Sequence, residues 1–252
     1  MTKTELKEFL DEKVFLYDKE YFIMTDPIQV PYSFSEKEDI EIMAFLVATI
    51  AWGQRKTIIA NGFRLAEALG NRPLDFLLNA SEEDFENIEP FVHRTFSHVD
   101  LLYFLKALKN IYKDHGGLES SFAIGDTQKE RIINFRNLFL SFDPLDRTHK
   151  HVSNPEKGSS AKRLNMFMRW MVRDGQLDFG LWKSIPKSEL LIPLDVHTAS
   201  VGRSLGLLKR KQNDWKAVEE LSSQLSAFDK EDPIKYDLAL FGLGAFEAFT
   251  KN

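Results

Sequence analysis

Two residues in this sequence stand where covalent chemistry on an electrophilic carbon is feasible: a lysine that opens one helix and an aspartate that opens another. Gly158-Ser159-Ser160-Ala161-Lys162 leads into the patterned run Arg163 to Arg173. The glycine suits a tight turn, and either serine can cap the helix that follows. First-turn N–H groups of such a helix point outward and suit a phosphate. Lys162 falls in that turn. The positive end of the helix dipole, with Lys157 and Arg163 nearby, disfavours an ammonium there and frees the amine as a nucleophile. Taken alone, these residues fit a solvated helix lysine better, since Gly-Ser-rich helix starts are common. Asp195 follows the turn Ile192-Pro193-Leu194 and precedes the apolar positions Val196, Val201 and Leu205. It is therefore an N-cap, and it also holds a carboxylate at a helix start.

Other clusters carry less. His149 and His151 lie in Thr148-His149-Lys150-His151, with no carboxylate pair at metal-ligand spacing, so no metal site is assigned. His93 and His98 read as surface residues of a polar connection. The set Phe167, Trp170 and Met171 at helical spacing reads as core. No phosphate loop, dinucleotide fingerprint or nucleophile elbow is present.

The elements that must position these residues are helical. Apolar residues recur at helical spacing along most of the chain, and strand-like alternation is scarce. The pattern predicts helices over roughly 4–23, 36–51, 54–69, 99–113, 128–141, 160–173, 196–207, 214–227 and 233–248, with short turns over 73–79 and 81–87. Thr2-x-x-Glu5 and Ser35-x-x-Glu38 read as capping boxes. His115-Gly116-Gly117 is a break, and Asp143 to Ser160 is the longest unpatterned segment. The expectation is an all-α chain forming a single globular helical unit over 1–252. Within it a helical lobe over 36–145 stands beside a second lobe of 1–35 plus 146–252.

The 252 residues are 43% hydrophobic and 28% charged, enough apolar material for a sizeable core. The absence of cysteine excludes disulfides, thiolate metal sites and cysteine nucleophiles. The start Met1-Thr2-Lys3-Thr4-Glu5 shows no signal peptide, and the longest apolar stretch, Ile42 to Trp52, is too short to span a bilayer. A cytoplasmic location without membrane contact is expected. The net charge of −5 runs against a dedicated nucleic-acid binder, but basic residues crowd Arg147 to Arg173.

Lys162-Arg163-Leu164-Asn165-Met166-Phe167-Met168-Arg169-Trp170-Met171-Val172-Arg173, Pro193-Leu194-Asp195-Val196-His197 and Asp232-Pro233-Ile234-Lys235-Tyr236-Asp237 resemble the domain-of-unknown-function 2400 family of uncharacterised bacterial proteins. Over a shorter span the chain resembles helix-hairpin-helix DNA glycosylases of the 8-oxoguanine type. Gly158 to Lys162 is similar to their glycine-rich hairpin ending in the catalytic lysine, with Ser160 in place of the second glycine. Pro193 to His197 is similar to the segment carrying their catalytic aspartate. Asp237 to Phe241 resembles the late helix whose phenylalanine stacks on an extruded base. Trp52-Gly53-Gln54-Arg55 resembles the turn that fills the gap left by that base.

This resemblance implies a two-lobed glycosylase-like helical fold and a DNA repair enzyme with associated AP-lyase activity, acting on damaged duplex DNA, with an oxidised purine as the favoured lesion. It implies Lys162 as nucleophile and Asp195 as electrostatic partner. DNA contacts would come from Gly158, Ser159, Ser160, Arg163, His197, Gln54 and Arg55. A base pocket would be formed by Met166, one helical turn beyond Lys162, with Asp237 and Phe241. Neither cofactor nor metal is required. Two other readings fit the same residues: a helix-hairpin-helix nucleic-acid binder without chemistry, and a helical protein-interaction scaffold.

Overall fold

The computed structural model describes residues 1–247 and 249, and among these it contains helices and no strand. In chain order the α-helices are α1 (Lys3–Tyr17), α2 (Lys37–Thr49), α3 (Arg55–Ala68), α4 (Pro73–Asn79), α5 (Glu82–Glu86), α6 (His98–Asp114), α7 (Gly117–Phe122), α8 (Gln128–Phe139), α9 (Lys162–Val172), α10 (Val196–Ser204), α11 (Trp215–Ser226) and α12 (Tyr236–Ala245). The all-α reading holds. The chain divides into two compact units, one of Met1–Phe22 with Asn154–Asn252 and the other of Ile23–Ser153.

In the Ile23–Ser153 unit, every residue of α2 from Ile40 to Thr49 is buried, as expected of a helix apolar on all sides. Phe45 on α2 meets Phe104 of α6 and Phe135 and Phe139 of α8 at ring-centroid distances of 5.9, 5.4 and 5.4 Å. The buried carboxylate on α2, Glu41, accepts a hydrogen bond from the Tyr112 hydroxyl at 2.7 Å. The predicted capping box at Ser35 does not form. The helix starts at Lys37 with Glu36 as its N-cap and no side-chain cap bond, while the Ser35 hydroxyl turns to Glu36. The 3₁₀ turn Pro31–Ser33 and extended Phe34 displace the helix start from the sequence signal. A helix also begins at Gly117, inside the predicted break. Gly116 and Gly117 take φ of 72° and 87°, reversing the chain, after which α7 resumes.

In the other unit, α1 opens with the predicted Thr2/Glu5 box but stops at Tyr17 rather than near residue 23. Asp18 leaves the helix and places its carboxylate 3.0 Å from Arg173. That ion pair outweighs the remaining helical propensity of the segment. Against α1 lies α12, and Gly242 makes the approach feasible, since a Cβ there would stand 2.3 Å from the Tyr17 ring. A 3₁₀ turn, Pro233–Lys235, precedes α12, so the helix proper begins at Tyr236; residue 248, the predicted end, lies outside the described residues. Phe167, Trp170 and Met171 of α9 are core as predicted, with Trp182 edge-on to Phe167 at 5.2 Å.

Candidate functional site

The approach to Lys162 is built by a chain reversal with two left-handed residues. Gly158 takes φ 85° and closes the 3₁₀ turn Pro155–Lys157; Ala161 takes φ 46° and is the N-cap of α9. Neither serine caps the helix. Ser159 spends its hydroxyl on the N–H of Ala161 at 3.2 Å, and the Ser160 carbonyl accepts from the Asn165 side chain at 3.0 Å. Serving as a left-handed cap costs an alanine about 1–2 kcal/mol. The reversal is held from outside by α11, where the Trp215 N–H donates to the Gly158 carbonyl at 3.1 Å and Ser159 pairs with Asp214 in an isolated bridge. Gly158 and Ser159 donate their own N–H groups to Pro155 and Asn154. An anion at this turn therefore draws on the start of α9 rather than on those two amides.

Lys162 is the first residue of α9, half-buried, with Nζ 3.5 Å from the sulfur of Met166. Asp195 is the N-cap of α10, as predicted, accepting the Thr198 N–H at 2.8 Å. Thr198 then links two carboxylates, because its hydroxyl donates to Asp237 at 3.3 Å. Asp237 is 5% exposed, and its other oxygen lies 2.5 Å from Arg169. Both oxygens of Asp237 are thus engaged by the protein. Burial pushes this carboxyl up to about 6; Arg169 opposes the rise, the charge on Asp195 adds to it and Lys162 opposes it. Phe241, one turn beyond Asp237, is half-buried and meets the exposed His197 ring edge-on at 6.0 Å.

Lys162, Met166, Arg169 and Arg173 recur at spacings of four, three and four, so they form one stripe along α9. Its far end is a buried ionic network that the sequence reading missed. Arg173 lies 3.0 Å from Asp18, Asp178 and Asp232, and Asp178 also receives Arg169 at 3.1 Å. Arg169 and Arg173 belong to the basic segment Arg147 to Arg173, yet they are buried and neutralised. The signal available was two arginines four residues apart amid Phe167, Met168, Trp170, Met171 and Val172, a setting in which a charge must be paired. Arg163 is half-buried, and burial pushes its guanidinium down to about 10.

Gln54 and Arg55 belong to the Ile23–Ser153 unit, in the turn that opens α3. Gln54 is exposed and caps without a side-chain bond, and Arg55 is half-buried. Gly53 takes φ 106°, and the Trp52 carbonyl accepts from Nε2 of His93 at 3.0 Å, whose Nδ1 accepts from Asn61 at 2.8 Å. His93, expected at the surface, is 2% exposed because it braces this turn. His151 is buried against Asp100 at 3.5 Å, and among the described residues no group of three His, Asp or Glu side chains is arranged to hold a metal.

An all-helical protein with a half-buried lysine at one helix start and an N-capping aspartate tied through a threonine to a buried carboxyl is the class that this geometry defines. More specifically, the chain belongs to the family described as protein of unknown function DUF2400, whose sequence model matches residues 26–246. No curated protein and no solved structure matches the chain. No described helix is long and apolar enough to cross a membrane.

Proposed function

We propose that this protein is a DNA glycosylase with associated AP-lyase activity that excises a damaged base, an oxidised purine in the favoured case. The observation that carries the reading is a half-buried lysine, Lys162, at the start of α9, together with Asp195 capping α10 and tied through Thr198 to the buried Asp237. The amine of Lys162 attacks the anomeric carbon of an extruded nucleotide, and the glycosidic bond breaks with its electron pair leaving on the base. The carboxylate of Asp195 stabilises the positive charge that develops on the sugar. The ammonium formed loses a proton, the sugar ring opens to a Schiff base, and loss of the C2′ proton expels the 3′ phosphate. Met166 and Phe241 offer a sulfur and a ring for a planar base, with His197 against Phe241 at the rim. Asp237 serves here as a positioning group, since Thr198 ties it to the helix that Asp195 caps.

The test is borohydride trapping on a panel of lesion-bearing and abasic duplexes. A covalent adduct is expected with the parent protein and none with Lys162→Gln, whose fold and DNA affinity should persist because the side chain is half-buried and stands at a helix start. Asp195→Asn keeps the cap, since asparagine caps well, and should lose the chemistry. Parental adduct yield from Lys162→Gln removes the proposal.

A further inference from the structure

The loop between α10 and α11 carries Lys209-Arg210-Lys211, a basic run placed beside the reversal that leads to Lys162. Its placement is set at both ends by burial. Leu207 and Leu208 are 6% and 2% exposed on one side, and Trp215 is 2% exposed on the other. Trp215 and Asp214 make the two contacts that hold Gly158 and Ser159. The loop and the reversal are therefore one assembled surface within a single unit.

A second observation concerns what holds the loop's own backbone. Arg203, in the last turns of α10, donates to the carbonyls of Arg210 and Lys211, each at 2.9 Å, and to the Asn213 side chain at 2.6 Å. The Glu220 carboxylate accepts the Lys209 N–H at 2.6 Å. A solvated loop that merely connects two helices has little need of a guanidinium spanning its carbonyls. The clamp fixes the main chain while leaving the Lys209 and Lys211 side chains exposed. Arg210 is paired with Asp214, which caps α11. Lys157, at the start of the reversal, and Lys216, in the first turn of α11, are exposed as well. Glu219 is engaged by the Trp215 indole N–H at 2.7 Å. Exposed cations here are Lys157, Lys209, Lys211 and Lys216, with Glu156 exposed beside Lys157, and a lysine ammonium contacts a phosphate as a point charge without geometric demand.

We infer that the clamped loop Lys209–Lys211, together with Lys157, is a binding surface for the phosphate backbone of duplex DNA, continuous with the turn that precedes Lys162. The inference shares its partner with the proposed function but needs no chemistry. It also explains how a chain of net charge −5 engages a polyanion: Arg169 and Arg173 are withdrawn into the protein, and the working cations stand on a pre-ordered loop.

The experiment is equilibrium binding of a short undamaged duplex to the full chain over roughly 50 to 200 mM salt. Lys209→Gln/Lys211→Gln should make the salt dependence shallower by about 2 in logarithmic slope, about 1 per lysine, and weaken binding several tens-fold at about 0.1 M salt. Lys3→Gln/Lys7→Gln should do neither. Arg203→Met keeps the loop's charges but frees its backbone, so affinity should fall several-fold with the slope unchanged. If Arg203→Met fails to fold, the exposed double-lysine variant still decides. A parental slope for Lys209→Gln/Lys211→Gln overturns the inference, as does binding to phosphatidylserine vesicles with no binding to duplex. Borohydride trapping reports on the glycosylase reading separately: loop-dependent binding without an adduct upholds the surface and sinks the chemistry.

Discussion

The buried carboxyl of Asp237 should leave a signature in how stability responds to pH. Its folded value is pushed up to about 6, chiefly by burial, from an ordinary value of 3.8. The native protein therefore holds this proton to a higher pH than the unfolded chain does. The contribution to stability is fully present below about pH 4 and is lost as pH rises through about 6. At 1.36 kcal/mol per unit, the loss is on the order of 3 kcal/mol across that window. Other carboxylates act in the opposite sense; Asp11 and Asp100 are both held below the usual range, with hydrogen bonds to Lys7 and Tyr236 in the first case and to Ser97 and Thr148 in the second overcoming burial. The comparison must therefore be with Asp237→Asn, which removes one titration and leaves the rest. Urea denaturation of both proteins from pH 4 to pH 7 is the assay. The parent's stability relative to the variant should fall by up to about 3 kcal/mol with rising pH, whatever the constant offset from the altered bond to Arg169. Parallel profiles would refute the reasoning and would mean that the Arg169 ion pair at 2.5 Å keeps Asp237 ionised throughout.

Arg173→Met should destabilise the unit that contains α9 by about 3–5 kcal/mol in urea denaturation, because it strands Asp18, Asp178 and Asp232 at 3.0 Å from a charge that is no longer there; a loss under about 1 kcal/mol would show that those carboxylates reach water. Ala161→Gly should raise stability by roughly 0.5–1 kcal/mol, since relief of the left-handed strain at φ 46° exceeds glycine's added chain entropy. A fall in melting temperature for that variant would show that the alanine methyl's burial decides.

Much of the secondary structure was legible in the sequence. Helical spacing, the Thr2/Glu5 box and the proline-led turn before Asp195 are local signals, because a hydrogen bond between residues three or four apart depends on little beyond the intervening chain. The same holds for Asp195 as a cap and for Phe167, Trp170 and Met171 as core. Local reasoning failed where a distant partner competed. Asp18 ended α1 for the sake of Arg173, 155 residues away, and His93 left the surface to brace Trp52. The roles of charged residues were the least legible. In the sequence, Arg169 and Arg173 look like the rest of a basic stretch, but burial converts them into the centre of an ionic network. Lys209 and Lys211, unremarkable in sequence, gain a fixed loop only through Arg203, which donates to the carbonyls of Arg210 and Lys211. A charge is read identically by composition wherever it stands; its energy depends on how much water surrounds it and which opposite charge faces it, and the packing of α9, α10, α11 and α12 sets both.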